Sequence, residues 1–324
     1  MGAEHALQAW FDQAQATPLG EGHIHDTYEV SSPDGHFVLQ RVNHQVFTDP
    51  EMVMRQTDRV LQRWRQQKAY VVPKLVAARD GSAAKWVDGE FWRVWEFIAD
   101  TRVVDPVENT QQAFQAGKAF GALQRQLRGL PEPRLVEPIP GFLQLRHYLQ
   151  AYDAVASGAP RQLHTLIEQH RHLADELGQR NATIHGDCKI NNLLFDAAGA
   201  RAVAVIDFDT VMHGHWAWDF GDLVRSICFS RGAADVGYFV AALRGFASEQ
   251  TACRVAECLA APGYVTLMLG VRFLTDHLQG DRYFRVSRRG ENLTRANEQF
   301  DLFASFLGVQ GEMRDAAVEV LRRS

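Results

Sequence analysis

The first hundred residues carry short runs in which apolar and polar side chains alternate. This is the period of a strand that is buried on one face. The runs are DTYEVSS, HFVLQRV, AAKWVDG and EFWRVWEFI. A Pro-Asp-Gly triplet at 33–35, a common tight-turn sequence, separates the first two. The pattern therefore predicts a strand-rich segment whose first two runs form a hairpin.

One helix is predicted to interrupt these strands, at residues 49–64. Asp49 is a favourable N-cap residue, and Pro50 suits the first turn because an N–H at that position would be unpaired. Side chains of one helix face then recur at three- and four-residue spacing. They are Val53, Thr57, Val60, Leu61 and Trp64.

Beyond about residue 106 the apolar spacing changes to that of helices. Residues 110–128 illustrate this change, with Ala113, Ala116, Phe120, Leu123 and Leu127 on one face. We infer an α+β chain with two lobes, a small β-rich lobe over 1–98 and a larger, mainly helical lobe over 99–324. The segment EFIADTRVVDP is the predicted linker between them.

Two strand-like runs stand out within the helical half. NLLFD and RAVAVIDFD are joined by AAGA, a four-residue loop that suits a hairpin. If residues 197–200 form the turn, the numbers of paired residues sum to 397, and Asn192 lies opposite Val205. Diagonal neighbours in such a ladder are about 7–8 Å apart, so the side chains of Asn192 and Asp207 can converge on one ion. Two hard oxygen ligands with open positions suit Mg²⁺ that carries substrate phosphates.

The segment before this hairpin holds an acid and an amide at a defined interval. His185, Gly186 and Asp187 follow a short apolar run, and Asn192 comes five positions after Asp187. Any one of them could be a polar residue at a hairpin rim, but the joint pattern is much rarer. Protein kinases use H-R-D-x-x-x-x-N and a later D-F-G as base and metal ligands. We interpret Asp187 as the base, Asn192 and Asp207 as metal ligands, and His185 as an anchor of the loop.

Composition and charge narrow the class of protein. The 46% hydrophobic and 23% charged content is typical of a globular chain, and the 34 basic and 39 acidic residues give a net charge of −5. This balance does not favour nucleic acid as a partner. The four cysteines form no C-x-x-C pair, which indicates a reducing compartment.

The chain shows no sequence signal for a membrane. Its first residues, MGAEHALQAWFDQAQ, lack the basic start and apolar core of a signal peptide. The apolar passage YVTLMLGVRFL is too short to span a bilayer and carries Arg272. We therefore expect a cytoplasmic protein with no membrane partner, whereas the sequence does not indicate the oligomeric state.

These motifs resemble those of the aminoglycoside phosphotransferase and choline kinase superfamily, small-molecule kinases with a protein-kinase-like fold. H-G-D-x-x-x-x-N followed by I-D-F carries this resemblance. Further segments resemble the N-acetylhexosamine 1-kinases more specifically, over about residues 19–306. They are GHIHDTY at 22–28, VLQRVN at 38–43, RFLTDHLQGDRYFR at 272–285 and ENLTRANEQFDLF at 291–303.

The resemblance implies phosphorylation of the anomeric hydroxyl of N-acetylglucosamine or N-acetylgalactosamine, with ATP and Mg²⁺. It places the sugar between Asp187, His23 and Arg295, and we add Tyr283 to the sugar-binding residues. The predicted nucleotide-binding residues are Gly20, Gly22, Thr27, Arg41, Glu96 and Ile98. The predicted partners are therefore a small sugar and a nucleotide.

Two of these assignments also have a physical basis. Gly20 and Gly22 would let backbone N–H groups approach phosphates closely, although a plain β-turn fits LGEGHIHDTYEV as well. Kinases place a phosphate-pairing Lys near the position of Arg41, and arginine is an always-charged substitute. An exposed strand arginine is the alternative, and its acidic partner in the first helix stays open between Glu51 and Asp58.

The acceptor is the least determined part of the prediction. Leu143 and Gln144 stand where the N-acetylhexosamine 1-kinases usually have the last two residues of FHD, and the family's HNLD becomes ENLT at 291–294. We expect anomeric phosphorylation with an altered preference at C2, since a site that loses polar partners changes its discrimination. Residues 282–295 hold five Arg and one Glu, which would repel aminoglycosides or choline if this segment lines the pocket. Another acceptor, or a catalytically inactive binding module, remains an alternative.

The segment HGHWAWDFGDLVRS, residues 213–226, adds supporting residues. His213 and His215 fit loop polar groups better than metal ligands, because no third partner accompanies them. Trp216 and Trp218 could form a cage for a quaternary ammonium, but packing is the better interpretation. Asp219 and Asp222 resemble acids that brace the catalytic loop in this superfamily, and we expect structural support from them.

Overall fold

The computed structural model describes residues 2–20, 24–250 and 253–322. The strands are β1 (Gln15–Pro18), β2 (Asp26–Ser32), β3 (Gly35–Val42), β4 (Leu75–Val76), β5 (Ala84–Val87), β6 (Glu90–Glu96), β7 (Thr101–Arg102), β8 (Ala182–Ile184), β9 (Leu193–Asp196), β10 (Ala202–Val205) and β11 (Met212–Gly214). The α-helices are α1 (Gly2–Leu7), α2 (Pro50–Trp64), α3 (Thr110–Leu127), α4 (Leu145–Asp153), α5 (Arg161–His170), α6 (Leu173–Glu176), α7 (Trp216–Ser230), α8 (Val236–Ala247), α9 (Val255–Leu278), α10 (Glu291–Gly308) and α11 (Gln310–Arg322). The predicted α+β class, with strands concentrated first and helices afterwards, is confirmed.

The first lobe is built on a six-stranded sheet in the order β1-β2-β3-β6-β4, with β5 also paired to β6. The hairpin predicted at the Pro-Asp-Gly triplet joins β2 and β3. One sheet face packs against the N-terminal segment, where Leu39 and Val94 meet Leu7, Trp10 and other apolar residues. The opposite face packs beneath α2 in a second cluster, and this second face is turned towards the larger lobe.

The predicted boundaries and buried face of α2 are confirmed. The Asp49 side chain accepts a hydrogen bond from the backbone N–H of Met52, and Pro50 occupies the first turn. All of the apolar positions predicted for this face are buried. On the same helix, the Gln56 amide donates to the carbonyl oxygen of Val136 at 3.0 Å, so α2 is tied to the larger lobe.

The second lobe contains one large apolar core that most of its helices share. Its tightest helix contact joins α3 and α8, where glycines allow the two backbones to touch. A Cβ atom on Gly245 would lie 2.0 Å from the carbonyl oxygen of Phe114, and one on Gly117 would lie 2.1 Å from that of Ala242. Glycine is therefore required at these two positions, because any larger residue would force the helices apart.

Helix α9 is longer than the apolar passage recognised in the sequence. The passage YVTLMLGVRFL by itself is too short to span a bilayer, but the helix has 24 residues, and among the described helices it alone is long and apolar enough to do so. However, 83% of its apolar window is buried inside the protein. A core helix of a globular protein passes the same length test, so this helix is weak evidence for a membrane span.

The predicted linker holds a strand of its own. Within it, β7 pairs with β9 of the second lobe, in the register Thr101–Asp196 and Arg102–Phe195. A second connection between the lobes is the backbone bond from the N–H of Val71 to the carbonyl of Val203, 2.9 Å long. The boundary between residues 98 and 99 remains an interpretation of the sequence.

Candidate active site

The loop between β8 and β9 holds the predicted base, and two residues fix its backbone. Asp219, in the first turn of α7, accepts hydrogen bonds from the backbone N–H groups of His185 at 2.9 Å and Gly186 at 2.8 Å. The buried His185 ring contacts the carbonyl oxygen of Ile206 through Nε2 at 3.1 Å. The loop-anchoring roles expected of Asp219 and His185 are confirmed by these contacts.

Gly186 permits a backbone shape that other residues would strain. Its φ is +84°, and a Cβ atom there would lie 2.6 Å from the carbonyl oxygen of Thr210. The protein kinases have arginine at the corresponding position of their motif. The close approach of Thr210 explains why this chain needs glycine at that point of the loop.

Asp187 is a partly accessible carboxylate held by two neighbours. The amide of Asn192 donates to both its backbone oxygen and its Oδ2, each at 2.8 Å, and Lys189 Nζ lies 2.8 Å from the same Oδ2. Its side chain is 24% exposed, so a substrate hydroxyl can reach it. Burial raises the pKa of Asp187, but the charge of Lys189 and these hydrogen bonds lower it more, and the resulting pKa is below the ordinary value. Asp187 is therefore ionised at neutral pH.

The hairpin that follows has the predicted turn but not the predicted register. Ala202 pairs with Phe195, in agreement with the predicted sum, but a bulge then shifts the pairing by one residue. Val205 consequently faces Leu193, and the N–H of Ile206 bonds to the carbonyl oxygen of Asn192. The prediction that Asn192 faces Val205 was wrong. Because of the bulge, Asn192 lies opposite Ile206, the residue before Asp207. The two predicted ligands, Asn192 and Asp207, are therefore still neighbours in the ladder.

Asp207 lies at the end of this hairpin in a left-handed conformation, with φ of +64°. Burial raises its pKa, and the nearby charges of Asp209 and Asp187 raise it further. This local excess of negative charge is the setting that a bound divalent cation would neutralise. Both amide hydrogens of Asn192 are directed at Asp187, so its Oδ1 is the oxygen left for a ligand role. This donor set fits Mg²⁺.

Asp209 forms a buried charge cluster that sequence analysis missed. Arg93 on β6 donates to both of its carboxylate oxygens, at 2.6 and 2.8 Å, and both side chains are 1% exposed. His25 Nε2 lies 2.8 Å from Asp209 Oδ2. Burial raises the pKa of Asp209, but Arg93 and His25 lower it more, to a value well below the ordinary range. The signal for this cluster was a single arginine inside the apolar run EFWRVWEFI.

One atom from each of His25, Asp207 and Asp209 lies within 4.8 Å of the other two, a spacing that could suit a metal ion. Two members of this group, His25 and Asp209, already contact each other, and Arg93 donates to both carboxylate oxygens of Asp209. Asp207 is therefore the carboxylate of this group that is available to a cation.

Arg41 lies apart from this cluster. Its side chain is on the sheet face opposite Gln40, as strand alternation predicted, whereas Gln40 accepts a hydrogen bond from Arg93 at 3.0 Å. The acidic partners of Arg41 are Asp26, directly across the β2–β3 ladder, and Glu90 at 3.2 Å. The nucleotide role of Arg41 stays a prediction, and its placement does not support it.

The two acids considered as partners of Arg41 have other contacts. Glu51 accepts a hydrogen bond from Trp86 Nε1 at 3.2 Å, and Asp58 accepts one from Gln62 at 2.7 Å. The expectation of a partner in the first helix was therefore wrong. It failed because it assumed that Arg41 points to the α2 side of the sheet, whereas the strand register turns its side chain to the other side.

The other predicted nucleotide-binding residues in the described chain lie after β1, in β2, at the end of β6 and in the linker. Thr27 Oγ1 is 3.4 Å from Gln40 Nε2, on the sheet face turned towards the larger lobe. Glu96 is half exposed and pairs with Lys74, and the carbonyl of Ile98 accepts from the Thr101 hydroxyl. Gly20, with φ of +70°, follows β1. Gly22 and His23 lie outside the described residues, and all of these nucleotide assignments stay predictions.

The two predicted sugar residues of the C-terminal region, Tyr283 and Arg295, are not joined to Asp187 by any contact within the described ranges. Tyr283 is 51% exposed in the segment between α9 and α10. Arg295 is held on its own segment, where it pairs with Glu291 at 2.6 Å and donates to Arg285 and Asn292. Their role in sugar binding stays a prediction.

The tryptophans and remaining polar residues of α7 are structural in their contacts. Trp218 is buried and stacks on Tyr264 with ring centroids 5.9 Å apart, and Trp216 donates to Glu257 at 2.7 Å. His215 caps α7 by accepting from the N–H of Ala217. The interpretation of both tryptophans as packing residues is in agreement with these contacts.

Comparison with known proteins identifies the family. Residues 15–253 match the model of the phosphotransferase enzyme family, APH, which covers most of the chain. A choline/ethanolamine kinase family protein from Mesorhizobium loti has a similar structure, with a TM-score of 0.64 at 15% identity over 96% of this chain and 93% of that one. A microcompartment-associated aminopropanol kinase gives 0.62 at 17% identity over 98% of both chains.

A third similar structure is spectinomycin phosphotransferase, solved in complex with ADP and spectinomycin, with a TM-score of 0.58 at 13% identity over 98% of this chain and 97% of that one. Identities this low establish a shared fold and no shared acceptor. The predicted kinase-like fold and superfamily are confirmed, whereas the N-acetylhexosamine 1-kinase subtype is not. By its sequence and its fold, this chain belongs to the phosphotransferase enzyme family.

Proposed function

We propose that the protein transfers the γ-phosphoryl group of ATP to a hexose or N-acetylhexosamine, at the anomeric hydroxyl, to give a sugar 1-phosphate. The observation that carries the proposed transfer is the arrangement around Asp187. This ionised and partly exposed carboxylate is adjacent to Asn192 and Lys189, and the Asp207 side chain lies close by. Such catalysis consists mainly of positioning and electrostatic stabilisation.

Asp187 orients the acceptor hydroxyl and takes its proton as the oxygen bonds to the γ-phosphorus, while the bond from that phosphorus to the leaving ADP oxygen breaks. The amide of Asn192 fixes the direction of the carboxylate, because it holds Oδ2 and the backbone oxygen together. Lys189 lies beside the same carboxylate and carries a pKa above its ordinary value, so it stays cationic. Burial lowers that pKa, but the charges of Asp187 and Asp207 raise it more. A cation in this position can offset the negative charge of a transferring phosphoryl group.

Asp207 and Asn192 Oδ1 are the groups that would hold magnesium. When bound, the ion supplies charge neutralisation between phosphate oxygens. Arg93 and His25 keep the neighbouring Asp209 occupied, so this acid does not compete for the same role. The residues of this chain thus separate proton transfer at Asp187 from cation binding at Asp207.

The acceptor is proposed to be a sugar because of charge and of the resemblance to N-acetylhexosamine 1-kinases. The basic segment, residues 282–289, exposes four arginines that form no carboxylate ion pair in the described chain. They are Arg282, Arg285, Arg288 and Arg289. If this segment lines the acceptor pocket, it repels a cationic amino alcohol or aminoglycoside, whereas it does not repel a neutral or acidic sugar. A cytoplasmic setting is also proposed, and the four free thiols suit a reducing compartment.

A substrate panel tests the acceptor. ATP consumption should be stimulated by hexoses and not by choline, ethanolamine, aminopropanol or spectinomycin. Glucose and galactose, their 2-acetamido forms and their uronic acids should be compared, and NMR of the product should place the phosphate on C1. We expect a preference at C2 that differs from that of an enzyme requiring the acetamido group. Phosphate on another carbon, or turnover confined to amino alcohols, would refute the proposal.

The metal-ligand assignment predicts a graded loss of nucleotide binding. Asp207→Ala should weaken binding of Mg²⁺ with a non-hydrolysable ATP analogue by at least about 10- to 100-fold. That is the loss typical of residues that only hydrogen-bond a metal ligand, and a direct ligand should matter at least as much. Asn192→Ala should have a smaller effect because a neutral amide contributes no charge. Calorimetry measures both affinities, with Asp196→Ala, at the half-buried turn end of β9, as the control. Unchanged affinity in Asp207→Ala would exclude this residue as a ligand.

A further inference from the structure

Arg272 of α9 lies within a box of four aromatic rings. The distances from its guanidinium carbon to the ring centroids are 5.7 Å for Phe142, 4.8 Å for Tyr148, 5.7 Å for Tyr283 and 5.2 Å for Phe284. Each ring within about 6 Å attracts a cation through its quadrupole. The rings therefore hold the guanidinium in place, although they offer it no hydrogen-bond acceptor.

The hydrogen-bonding capacity of Arg272 is unused. In the described ranges its side chain forms no hydrogen bond and no ion pair, yet an arginine has five N–H donors. The side chain is half buried, and none of its nitrogens is among the fully buried polar atoms that lack a partner. These nitrogens consequently reach solvent. A positioned guanidinium with free donors at the surface is suited to a planar or tetrahedral anion.

The part of the box that follows α9 is held rigidly by a buried acid. Asp276, 4% exposed, accepts hydrogen bonds from the backbone N–H groups of Arg282, Tyr283 and Phe284 at 2.8 to 2.9 Å. The amide of Asn292 also donates to it, at 2.9 Å. Asp276 therefore fixes the segment that carries two of the four rings, and it uses its charge there and not on Arg272.

The box also borders the junction of the lobes. Ile139, three residues before Phe142, packs against the cluster beneath α2 that contains Met54. The Met54 sulfur is 3.7 Å from Arg93 Nη1, and Arg93 holds Asp209 beside the proposed metal site. A chain of contacts thus leads from one wall of the box to the phosphate end of the cleft.

We propose that Arg272 binds an anionic group, a carboxylate or a phosphate, of the acceptor molecule. This inference rests on the proposed function, and it restricts the hexose to one that carries an acidic group away from the hydroxyl that is phosphorylated. Because Arg272 already fills the aromatic box, a quaternary ammonium cannot occupy it. The basic segment carries two rings of the box, so its exposed arginines add positive potential near Arg272.

Calorimetry on the full chain tests the site directly, with the nucleotide site saturated by Mg²⁺ and a non-hydrolysable ATP analogue. The probes are inorganic phosphate, glucuronate, glucose 6-phosphate and glucose. Arg272→Met should weaken binding of at least one of the three anions by about 10- to 100-fold, the value of a charged hydrogen bond. Arg272→Lys should have a smaller effect because it keeps the charge but loses the planar fork. The matched control is Arg244→Met, an exposed arginine of α8 outside the basic segment.

Each outcome decides the proposal. Loss of anion affinity in Arg272→Met, with the Arg244→Met affinity unchanged, supports it, and the anion that is affected identifies the acidic group. It is overturned if none of the anions binds the wild-type protein, or if both variants lose affinity equally. If Arg272→Met does not fold, Arg272→Gln decides, since it also removes the charge and an unchanged anion affinity in it would refute the proposal. Arg272-dependent anion binding in a protein that phosphorylates no hexose would retain this site and reject the sugar as acceptor.

Discussion

Replacing Asp187 with asparagine should lower kcat by about 10²- to 10⁴-fold while nucleotide binding is retained. An amide has nearly the shape of the carboxylate and can still meet Asn192, but it cannot take a proton from the acceptor hydroxyl. The base is distinct from the proposed cation ligands, so the affinity for magnesium and an ATP analogue should change little. Steady-state kinetics with the best acceptor of the panel and calorimetry with the analogue measure the two effects.

The same residue sets an expectation for pH. Since its charged neighbour and hydrogen bonds hold the pKa of Asp187 below the ordinary carboxyl value, kcat should not fall until the pH is below the usual carboxyl range. Lys189→Met removes the neighbouring charge and should move this acid limb of the kcat profile to higher pH. Turnover of Asp187→Asn at the wild-type rate would reject the assigned base, and an unmoved acid limb in Lys189→Met would reject the role of the lysine.

Replacing Arg93 with methionine should destabilise the protein by about 3–5 kcal/mol, because it leaves a buried carboxylate without its partner. Arg93 is the residue that donates to both oxygens of Asp209, and neither side chain has access to bulk water. Urea denaturation followed by circular dichroism measures the change in the free energy of unfolding. As a control, Arg79→Met breaks the exposed pair with Asp12 and should cost less than about 1 kcal/mol.

A double replacement separates the lost charge partner from lost packing. Arg93→Met combined with Asp209→Leu removes both charges and should recover much of the stability lost in the single variant. If Arg93→Met costs no more than the Arg79 control, the pair is not buried in solution. If the double variant is no more stable than Arg93→Met, the loss arises from packing and not from the unpaired carboxylate.

The sequence specified the local elements well where one physical cause dominated. The cap of α2, its buried face and the β2–β3 turn followed from residue types whose preferences agree with each other. The Asp187 and Asn192 spacing likewise indicated one site that holds both residues, and their side chains lie 2.8 Å apart in the structure. Such features depend on neighbours within a few residues, and a single sequence contains that information.

Features that depend on distant pairing were missed. The bulge in the β9–β10 hairpin shifts the register by one residue, and no turn residue marks it. Arg93 and Asp209 are 116 positions apart, so only the folded chain shows that they form a pair. The partner of Arg41 was sought in α2, whereas Asp26 faces it across the neighbouring strand. Strand alternation correctly placed Arg41 and Gln40 on opposite faces of the sheet, but it could not show which face is turned towards the cleft between the lobes.

The Arg93–Asp209 pair also has a mechanical consequence, because it joins the sheet of one lobe to the hairpin of the other. Moving the lobes straight apart would pull a buried cation from a buried anion and is therefore costly. Together with the β7–β9 pairing at the linker and the Val71–Val203 bond, the pair limits how far the two lobes can separate.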